Sequence, residues 1–507
     1  MTTQITDSAS AAAVIESVDV VTGEPFAAFP AMTHDEVATL VKHARAAAQQ
    51  WRTMGFEQRK ARLLAWAAEI VSCSHQFTFL MHRENGKPVD DAYLELVIAV
   101  EHIRWAAYHA KRVLRPRRVP AGVLMANYRA SIDYEPFGVI GVISPWNYPI
   151  FAPVAQLASA LAAGNTAVLK PSELATAAAS ELVAAFARAN PDLPQGILTL
   201  ATGAGEAGAG LITGGVDKVA FTGSPTTARK ILRACADTLT PAVMECGGKD
   251  AMIVAADADI DQAADAAAWG AFSNAGQTCV GVERIYVHQD VAQRFVAALQ
   301  RRLKDVSGGH RPGSTYGPMT MASQVEVVRA HVQDALQGGA TAPLGGTERI
   351  RGRICDPIVL LDADESSRAV QEETFGPTVT VTTVADLAEA IRLANGTRFG
   401  LGAAVFSRRD GERIAQTLRC GMVSINSVLA FVSIPGLPFG GVGESGFGRI
   451  HAAEGLREFS RPKSLAQKRF DLPGANAMLF TRPAITIAML KAVTNARFTR
   501  HRNRRPR

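Results

Sequence analysis

Val139-Ile140-Gly141-Val142-Ile143-Ser144-Pro145-Trp146-Asn147-Tyr148-Pro149 opens on an unbroken apolar run and closes on a loop pinned by prolines. A run with no polar position has no face for water, so it reads as a strand covered on both sides. The same unit recurs beyond it. Thr166-Ala167-Val168-Leu169-Lys170, Ile197-Leu198-Thr199-Leu200 and Lys218-Val219-Ala220-Phe221 read as strands. Ala152 to Ala163, Ala175 to Asn190, Glu206 to Thr213 and Thr226 to Ala236 read as the helices between and after them. Alternation of this kind predicts a parallel sheet with helices on both faces and a ligand at the carboxyl ends of its strands.

Toward the N-terminus, Val18 to Phe29 reads as an extended pair around Thr22-Gly23-Glu24-Pro25. His34 to Arg52, Gln58 to Cys73 and Asp90 to Val113 carry helical periodicity. Arg115-Pro116-Arg117-Arg118 breaks the last helix. Val123 to Glu135 is extended, and Glu135-Pro136-Phe137-Gly138 turns it. Toward the C-terminus a second alternating region runs from Ala251 to about Gly443. Its strands are Met252-Ile253-Val254, Arg284 to His288, Val379 to Thr383 and Ala403 to Phe406, and its helices include Val291 to Lys304 and Leu387 to Asn395. The fold class is α/β, with two α/β domains.

The composition is that of a globular chain, 48% hydrophobic and 20% charged, and 507 residues exceed what one core usually holds. The net charge of +6 is concentrated at one end. Eight Lys/Arg and no acidic residue fall between Leu472 and Arg507, which leaves the remainder at −2. Nucleic-acid binding by the body therefore has no electrostatic footprint. Cys73, Cys235, Cys246, Cys279, Cys355 and Cys420 are scattered without a CxxC pair, which suits a reducing compartment and no metal cluster. Met1 to Ala13 has no basic-then-apolar targeting pattern. A cytoplasmic location is expected.

Five loops and a glycine cluster concentrate chemistry. Asn147 presents an amide able to donate to a developing oxyanion. Lys170-Pro171-Ser172-Glu173 ends a strand with groups able to meet ribose hydroxyls, and Glu173 would repel a 2′-phosphate, so NAD is expected over NADP. Read plainly, the same residues are a helix cap. Phe221-Thr222-Gly223-Ser224 opens a helix whose free N–H groups can face a phosphate, and Gly203, Gly205 and Gly208 form a second glycine cluster; neither is a GxGxxG. Met244-Glu245-Cys246-Gly247-Gly248-Lys249 sets a carboxylate beside two glycines, suited to general-base work or to a domain-boundary turn. Gly276-Gln277-Thr278-Cys279 puts a thiol on a polar turn after an alanine-rich helix. A lone cysteine is most often an inert small hydrophobe, but on an exposed turn among N–H dipoles its pKa is expected to be lowered.

Ser-Pro-Trp-Asn-Tyr-Pro, Lys-Pro-Ser-Glu, Phe-Thr-Gly-Ser, Glu-Cys-Gly-Gly-Lys, Gly-Gln-Thr-Cys, Glu-Glu-Thr-Phe-Gly-Pro (Glu372 to Pro377) and Pro-Phe-Gly-Gly-Val-Gly-Glu-Ser-Gly (Pro438 to Gly446) occur in this order. Together they resemble the aldehyde dehydrogenase superfamily from about residue 18 to about residue 469. The resemblance implies a Rossmann-like cofactor domain, a second α/β catalytic domain and a small β oligomerisation arm. It implies Cys279 as nucleophile, with Asn147 and the Cys279 N–H as oxyanion hole and Glu245 as the base that activates water. The implied cofactor is NAD and the substrate an aldehyde. The implied cofactor contacts are Lys170 and Glu173 at the ribose, Gly223 and Ser224 at the pyrophosphate, and Glu373 and Phe375 at the nicotinamide. Ser144, Trp146, Ser172, Gly203, Phe221 and Gly247 in the same loops complete that set, and Asn426 matches an asparagine supporting the catalytic loop. Pro225, Ala228 and Cys246 depart from the usual residues. Relatives acting on carboxylated semialdehydes often place arginines where this chain has Ala155 and Ser273, which favours an uncharged aldehyde. A semialdehyde, acyl transfer to coenzyme A and a catalytically silent scaffold are the alternatives. Retention of Glu245 speaks for hydrolysis, and Cys279, Glu245, Asn147, Lys170 and Glu373 together speak against a silent scaffold.

The expected organisation is a cofactor domain over residues 14–120 and 138–246 and a catalytic domain over 247–443. Oligomerisation elements cover 121–137 and 444–470, and a basic tail covers 471–507. Open strand edges at Val123 to Glu135 and Ser464 to Arg469 imply a homodimer or homotetramer. The tail joins a mostly apolar Pro483 to Val493 to a polybasic end. It reads as a packed helix or a disordered end ahead of a weak membrane-surface contact. Phe151, Val280 and Phe431 hint at an apolar substrate lining.

Overall fold

The computed structural model describes residues 13–122, 125–311, 313–471 and 479–502. Its first large sheet is built from β1 (Val139–Ile143), β2 (Thr166–Lys170), β3 (Leu198–Leu200), β4 (Lys218–Gly223) and β5 (Ala242–Cys246). These run parallel in the order β3-β2-β1-β4-β5, and Gly446–Phe447 adds a short antiparallel strand beside β5. The chain leaves β1 for β2 on one side and returns to β4 on the other. The loops after β1 and β4 therefore part and open a crevice at the strand carboxyl ends. β1 and β2 are buried at every residue, which is why no polar alternation marks them.

Helices α1 (His34–Thr53), α2 (Phe56–Ser72), α3 (Ser74–Asn85) and α4 (Val89–Leu114) precede this sheet, and α5 (Phe151–Ala163), α6 (Thr176–Ala189), α7 (Gly205–Thr213) and α8 (Pro225–Thr238) alternate with its strands. Val41 of α1, Leu211 of α7 and Ile231 of α8 pack with Val139, Val168 and Val219 on one face. Trp51 and Trp66 bury their rings and donate their indole N–H to Leu161 O (3.0 Å) and Leu182 O (3.2 Å), so each apolar anchor leaves no polar atom unpaired. α1 starts at Thr33, whose hydroxyl and Glu36 form a reciprocal capping box.

The second sheet holds β6 (Asp250–Val254), β7 (Val282–His288), β8 (Ile358–Leu361), β9 (Thr378–Val384), β10 (Gly402–Phe406) and β11 (Met422–Ile425). They are parallel in the order β8-β9-β7-β6-β10-β11. α9 (Ile260–Phe272) joins β6 to β7, and its buried Ala263, Ala264, Ala267 and Ala271 let it lie close to the sheet. Of the elements the sequence did not announce, β5 matters most: the stretch around Glu245 is a buried strand, where a boundary turn was the plain alternative. The N-terminal strand pair is Val14–Val18 with Pro25–Pro30, earlier than expected in its first strand.

Contact density sets apart a second unit, residues 114–135 and 462–507. Arg117–Val119, Tyr128–Pro136 and Ser460–Lys468 form its three-stranded sheet. Lys463 pairs with Glu135 at 3.1 Å, and the last strand is exposed from Arg461 onward. Helix Ala484–Arg502 follows; among the described residues no helix is long and apolar enough to cross a membrane. Residues 123–124 of the expected arm, and 472–478 and 503–507 of the tail with Arg504, Arg505 and Arg507, lie outside the described residues, as do residues 1–12.

Candidate active site

α9 ends at Phe272 and the chain turns at once. Asn274, Ala275 and Gly276 take left-handed φ values of 54°, 57° and 69° in succession. For alanine such backbone costs on the order of 1–2 kcal/mol. Gly276 has no alternative, because a Cβ there would fall 2.1 Å from Gly376 O. The turn is held by its own side chains. Gln277 donates to Asn274 O (3.0 Å) and accepts from Thr320 N (2.9 Å), and Asn274 donates to Asn147 O (3.1 Å). Asn147 Nδ2 donates to Gln277 O at 2.9 Å, which fixes its amide beside the turn and uses one of its two N–H groups. Tyr148 and Thr278 share a hydroxyl bond at 2.9 Å. The loop after β1 and the cysteine turn are thus one bonded unit.

The turn is buried, which corrects the expectation of an exposed, acidified thiol: Gln277 is 1% exposed and only Cys279 and Ser273 reach partial exposure. Burial pushes the Cys279 thiol well up. The carboxylates of Glu373, Asp250 and Glu245 push the same way, and the Val280 N–H opposes them. Without a proton acceptor this thiol stays protonated at neutral pH.

Two buried ion pairs brace the walls. Lys87 pairs with Glu95 and also donates to Asn147 O (3.2 Å), while Glu95 accepts the N–H groups of Ile150 and Phe151 (both 2.9 Å) at the start of α5. Lys249 pairs with Glu283 and donates to Thr374 Oγ1 (3.0 Å). Glu283 accepts from Thr374 N (2.9 Å) and Phe375 N (3.1 Å). The second pair positions Glu373, whose carboxylate accepts Gly248 N–H (3.2 Å) and is raised to about 8 by burial and by Glu283.

A cleft of about 880 Å³ is lined by these elements and by Cys279, and its lining falls into two groups, one limb along the first sheet and one apolar. One limb follows the strand ends of the first sheet. Ser144, Trp146, Lys170, Ser172, Glu173, Phe221, Gly223, Ser224, Gly247, Glu373 and Phe375 line the cleft, so the structure brings together every expected cofactor contact except Gly203. That glycine is buried against Met32 and Ala207, and Ala204, Gly205 and Gly208 take the lining places. Lys170 is 6% exposed, 3.9 Å from the half-exposed Glu173. Ser224 caps α8 with Pro225 at its first position, and a Cβ on Gly247 would strike the Glu373 carboxylate at 2.0 Å. An extended dinucleotide fits this cradle: free helix N–H groups for its phosphates, Lys170 and Glu173 for a ribose, and a bare backbone at Gly247.

The other limb is apolar. Leu94, Ile98, Phe151, Ala155, Val280 and Phe439 line it, and Leu94 and Trp269 stand about half exposed at its rim. Ala155 and Ser273, where an arginine would have read a carboxylate, both face the cleft, and no arginine is among its lining residues. Phe431 does not line it; its ring packs toward Gly402, leaving Ala430 and Val432 on the cleft. Glu245 does not line it either. It is 1% exposed on β5, one residue before the cleft-lining Cys246, with no bonded partner for either oxygen among the described residues. Burial drives its carboxyl well above the usual range against the pull of Arg449. Asn426 (φ 53°) ties itself to Ser407 through N–H (3.0 Å) and O (3.1 Å) at the end of β11. Sequence reasoning passed over His451, which lines the cleft from a strained backbone; its place just after Pro438 to Gly446 was the only signal.

The Aldehyde dehydrogenase family model matches residues 5–465. The chain is 39% identical to the 4,4'-diapolycopene aldehyde oxidase of Methylomonas sp over 463 residues, 90% of this chain and 87% of that one. It is 36% identical to the glutarate-semialdehyde dehydrogenase of Pseudomonas putida, over 88% of this chain and 92% of that one. The NADP-dependent glyceraldehyde-3-phosphate dehydrogenase of Bacillus halodurans, solved with NADP, superposes with a TM-score of 0.84 at 30% identity, over 90% of this chain and 96% of that one.

Proposed function

The chain belongs to the aldehyde dehydrogenase family, oxidoreductases that oxidise aldehydes with a nicotinamide cofactor, and on that footing we propose that it oxidises an uncharged, apolar aldehyde to its acid by way of Cys279. The observation that carries the reading is the fixed pairing of Asn147 with the cysteine turn, with Asn147 and Cys279 both lining one cleft.

Cys279 gives up its thiol proton to water and adds as the thiolate to the aldehyde carbon, giving the thiohemiacetal oxyanion. Asn147 turns its second N–H, with the Cys279 backbone N–H, to the oxygen that gains charge. Bound nicotinamide supplies the acceptor for the hydride, and a thioester remains on Cys279. Glu245 takes a proton from the water that hydrolyses this thioester. Its raised proton affinity suits a base, and reaching the water requires its side chain to swing from beneath Cys246 into the cleft. Splitting the oxidation in two avoids one high barrier.

The finer reading is NAD over NADP, because Glu173 offers a carboxylate where a 2′-phosphate would lie. The exposed strand Ser460–Lys468 supports pairing with another copy as a homodimer or homotetramer. Unpaired cysteines support a cytoplasmic site of action. The test is reduced-cofactor formation across aliphatic, aromatic and carboxylated aldehydes with NAD and NADP in parallel, wild type beside Cys279→Ala. Cysteine-dependent activity that is greatest on apolar aldehydes with NAD is expected. A best substrate bearing a carboxylate would return the assignment to the semialdehyde alternative.

A further inference from the structure

His451 sits in the cleft wall with Phe439 and Phe151, and the residue is 4% exposed. It stacks on His102 of α4, centroids 4.1 Å apart and planes 28° apart. A face-to-face stack leaves the ring edges, where the nitrogens are, pointing away from each other. Phe151 lies 5.6 Å and Phe439 5.5 Å from the His451 ring, and neither offers a partner. All four ring nitrogens of the pair are buried and have no bonded partner among the described residues, so a substrate oxygen reaches His451 only by displacing part of the Phe151 and Phe439 wall. Burial keeps both rings neutral, His102 near 4 and His451 well below its ordinary value.

The backbone adds a second anomaly. His451 holds φ 66° and ψ 171°, a conformation nearly reserved for glycine, and Ala452 follows at φ 53°. A glycine would take this turn without strain, and an apolar ring would fill the space without stranding polar atoms. A histidine that carries both costs gives the fold no visible return, and buried polar groups left unpaired call for a partner from elsewhere.

We propose that His451, backed by His102, recognises the substrate by hydrogen-bonding an uncharged oxygen, a hydroxyl or carbonyl, that the aldehyde carries beyond its reacting carbon. A neutral imidazole offers one donor and one acceptor, which a hydroxyl matches in either tautomer. A carboxylate would need a free cation; no arginine lines this cleft, and Lys87, the lysine nearest in sequence to this wall's α4 residues, is already paired with Glu95. The stack on His102 fixes the plane of the ring, so the bond selects where along the substrate the oxygen sits. The inference rests on the reading of this limb as the aldehyde site.

The experiment compares hexanal with hydroxyhexanals whose hydroxyl is moved along the chain, in wild type, His451→Gly and His451→Asn. Glycine accepts the backbone conformation, and asparagine bears the same strain as histidine while keeping a donor and an acceptor. One regioisomer is expected to exceed hexanal in kcat/KM by about tenfold or more, as one buried hydrogen bond allows. His451→Gly should bring the hydroxyhexanal-to-hexanal ratio of kcat/KM down to about one, whatever it does to hexanal itself, and His451→Asn should recover part of that ratio. The same ranking is read without turnover as calorimetric affinity of the Cys279→Ala protein for hexanol and the hexanediols. Absence of turnover with a surviving diol preference would sink the catalytic reading and keep this one. No preferred regioisomer in either assay, or a preference that survives in His451→Gly, overturns it.

Discussion

Replacing Asn147 by alanine separates catalysis from folding with unusual clarity, because its amide has one structural and one proposed chemical bond. The structural bond runs from Nδ2 to Gln277 O at 2.9 Å. That carbonyl also receives Asn274 Nδ2 at 3.2 Å, so truncation leaves it bonded and should cost no more than about 1 kcal/mol. The proposed bond goes to an oxygen that is charged only after Cys279 has added. Its loss should lower the rate by about 10²–10³, or about 2.7–4 kcal/mol of barrier. An interaction absent from the ground state lowers kcat and kcat/KM together and leaves KM alone. The assay is steady-state kinetics on the best aldehyde beside thermal unfolding of the same preparations. Asn147→Asp, which keeps the shape and adds charge against the oxyanion, should be slower still. A kcat within about threefold of wild type, or a loss matched by a collapse in melting temperature, would refute the oxyanion role.

Three other outcomes follow from the site. Glu245→Gln should strand the thioester, giving a burst of reduced cofactor near one equivalent per Cys279 and slow turnover after it; an unchanged steady state would remove Glu245 as the base. The raised Cys279 thiol makes the reactive thiolate scarce at neutral pH, so log kcat/KM should climb with slope near +1 from about pH 6 to 9; Glu373, at about 8, titrates in this window, and the Glu373→Gln profile separates the two, while a flat profile in both would contradict the assignment. Glu173→Ser should shift the NADP-to-NAD ratio of kcat/KM upward by about tenfold or more, and no shift would place the ribose elsewhere.

The parallel sheets were legible because burial on both faces writes itself as runs such as Val139–Ile143. The loops of Asn147, Lys170 and Gly223 were legible because each sits at a strand end. The strand Ala242–Cys246 was harder to see: Glu245 is its penultimate residue, and a buried carboxylate breaks the apolar run that announces a strand. α3 was hidden because Cys73 and Ser74 carry no glycine or proline to mark a new helix beginning where α2 stops. The environment of Cys279 was misjudged for a different reason. Polarity in Ser273–Thr278 is spent on internal bonds rather than on water, and only coordinates tell those apart. His451 needed the φ value and the stack, neither of which a one-dimensional pattern records.

Gly276 and Gly376 meet backbone to backbone, with no room for a side chain at Gly276, and a Cβ on Gly376 would strike Val328 at 2.3 Å. The spacing between the cysteine turn and the loop of Glu373 is therefore set by blank positions, which substitution can only push apart. For anyone reshaping the enzyme this divides the molecule into editable and fixed halves. Ala155, Val280 and Ser273 face open cleft and can be enlarged to redraw the range of aldehydes accepted, while the seam at 276 and 376 acts as a gauge block that every functional variant inherits unchanged.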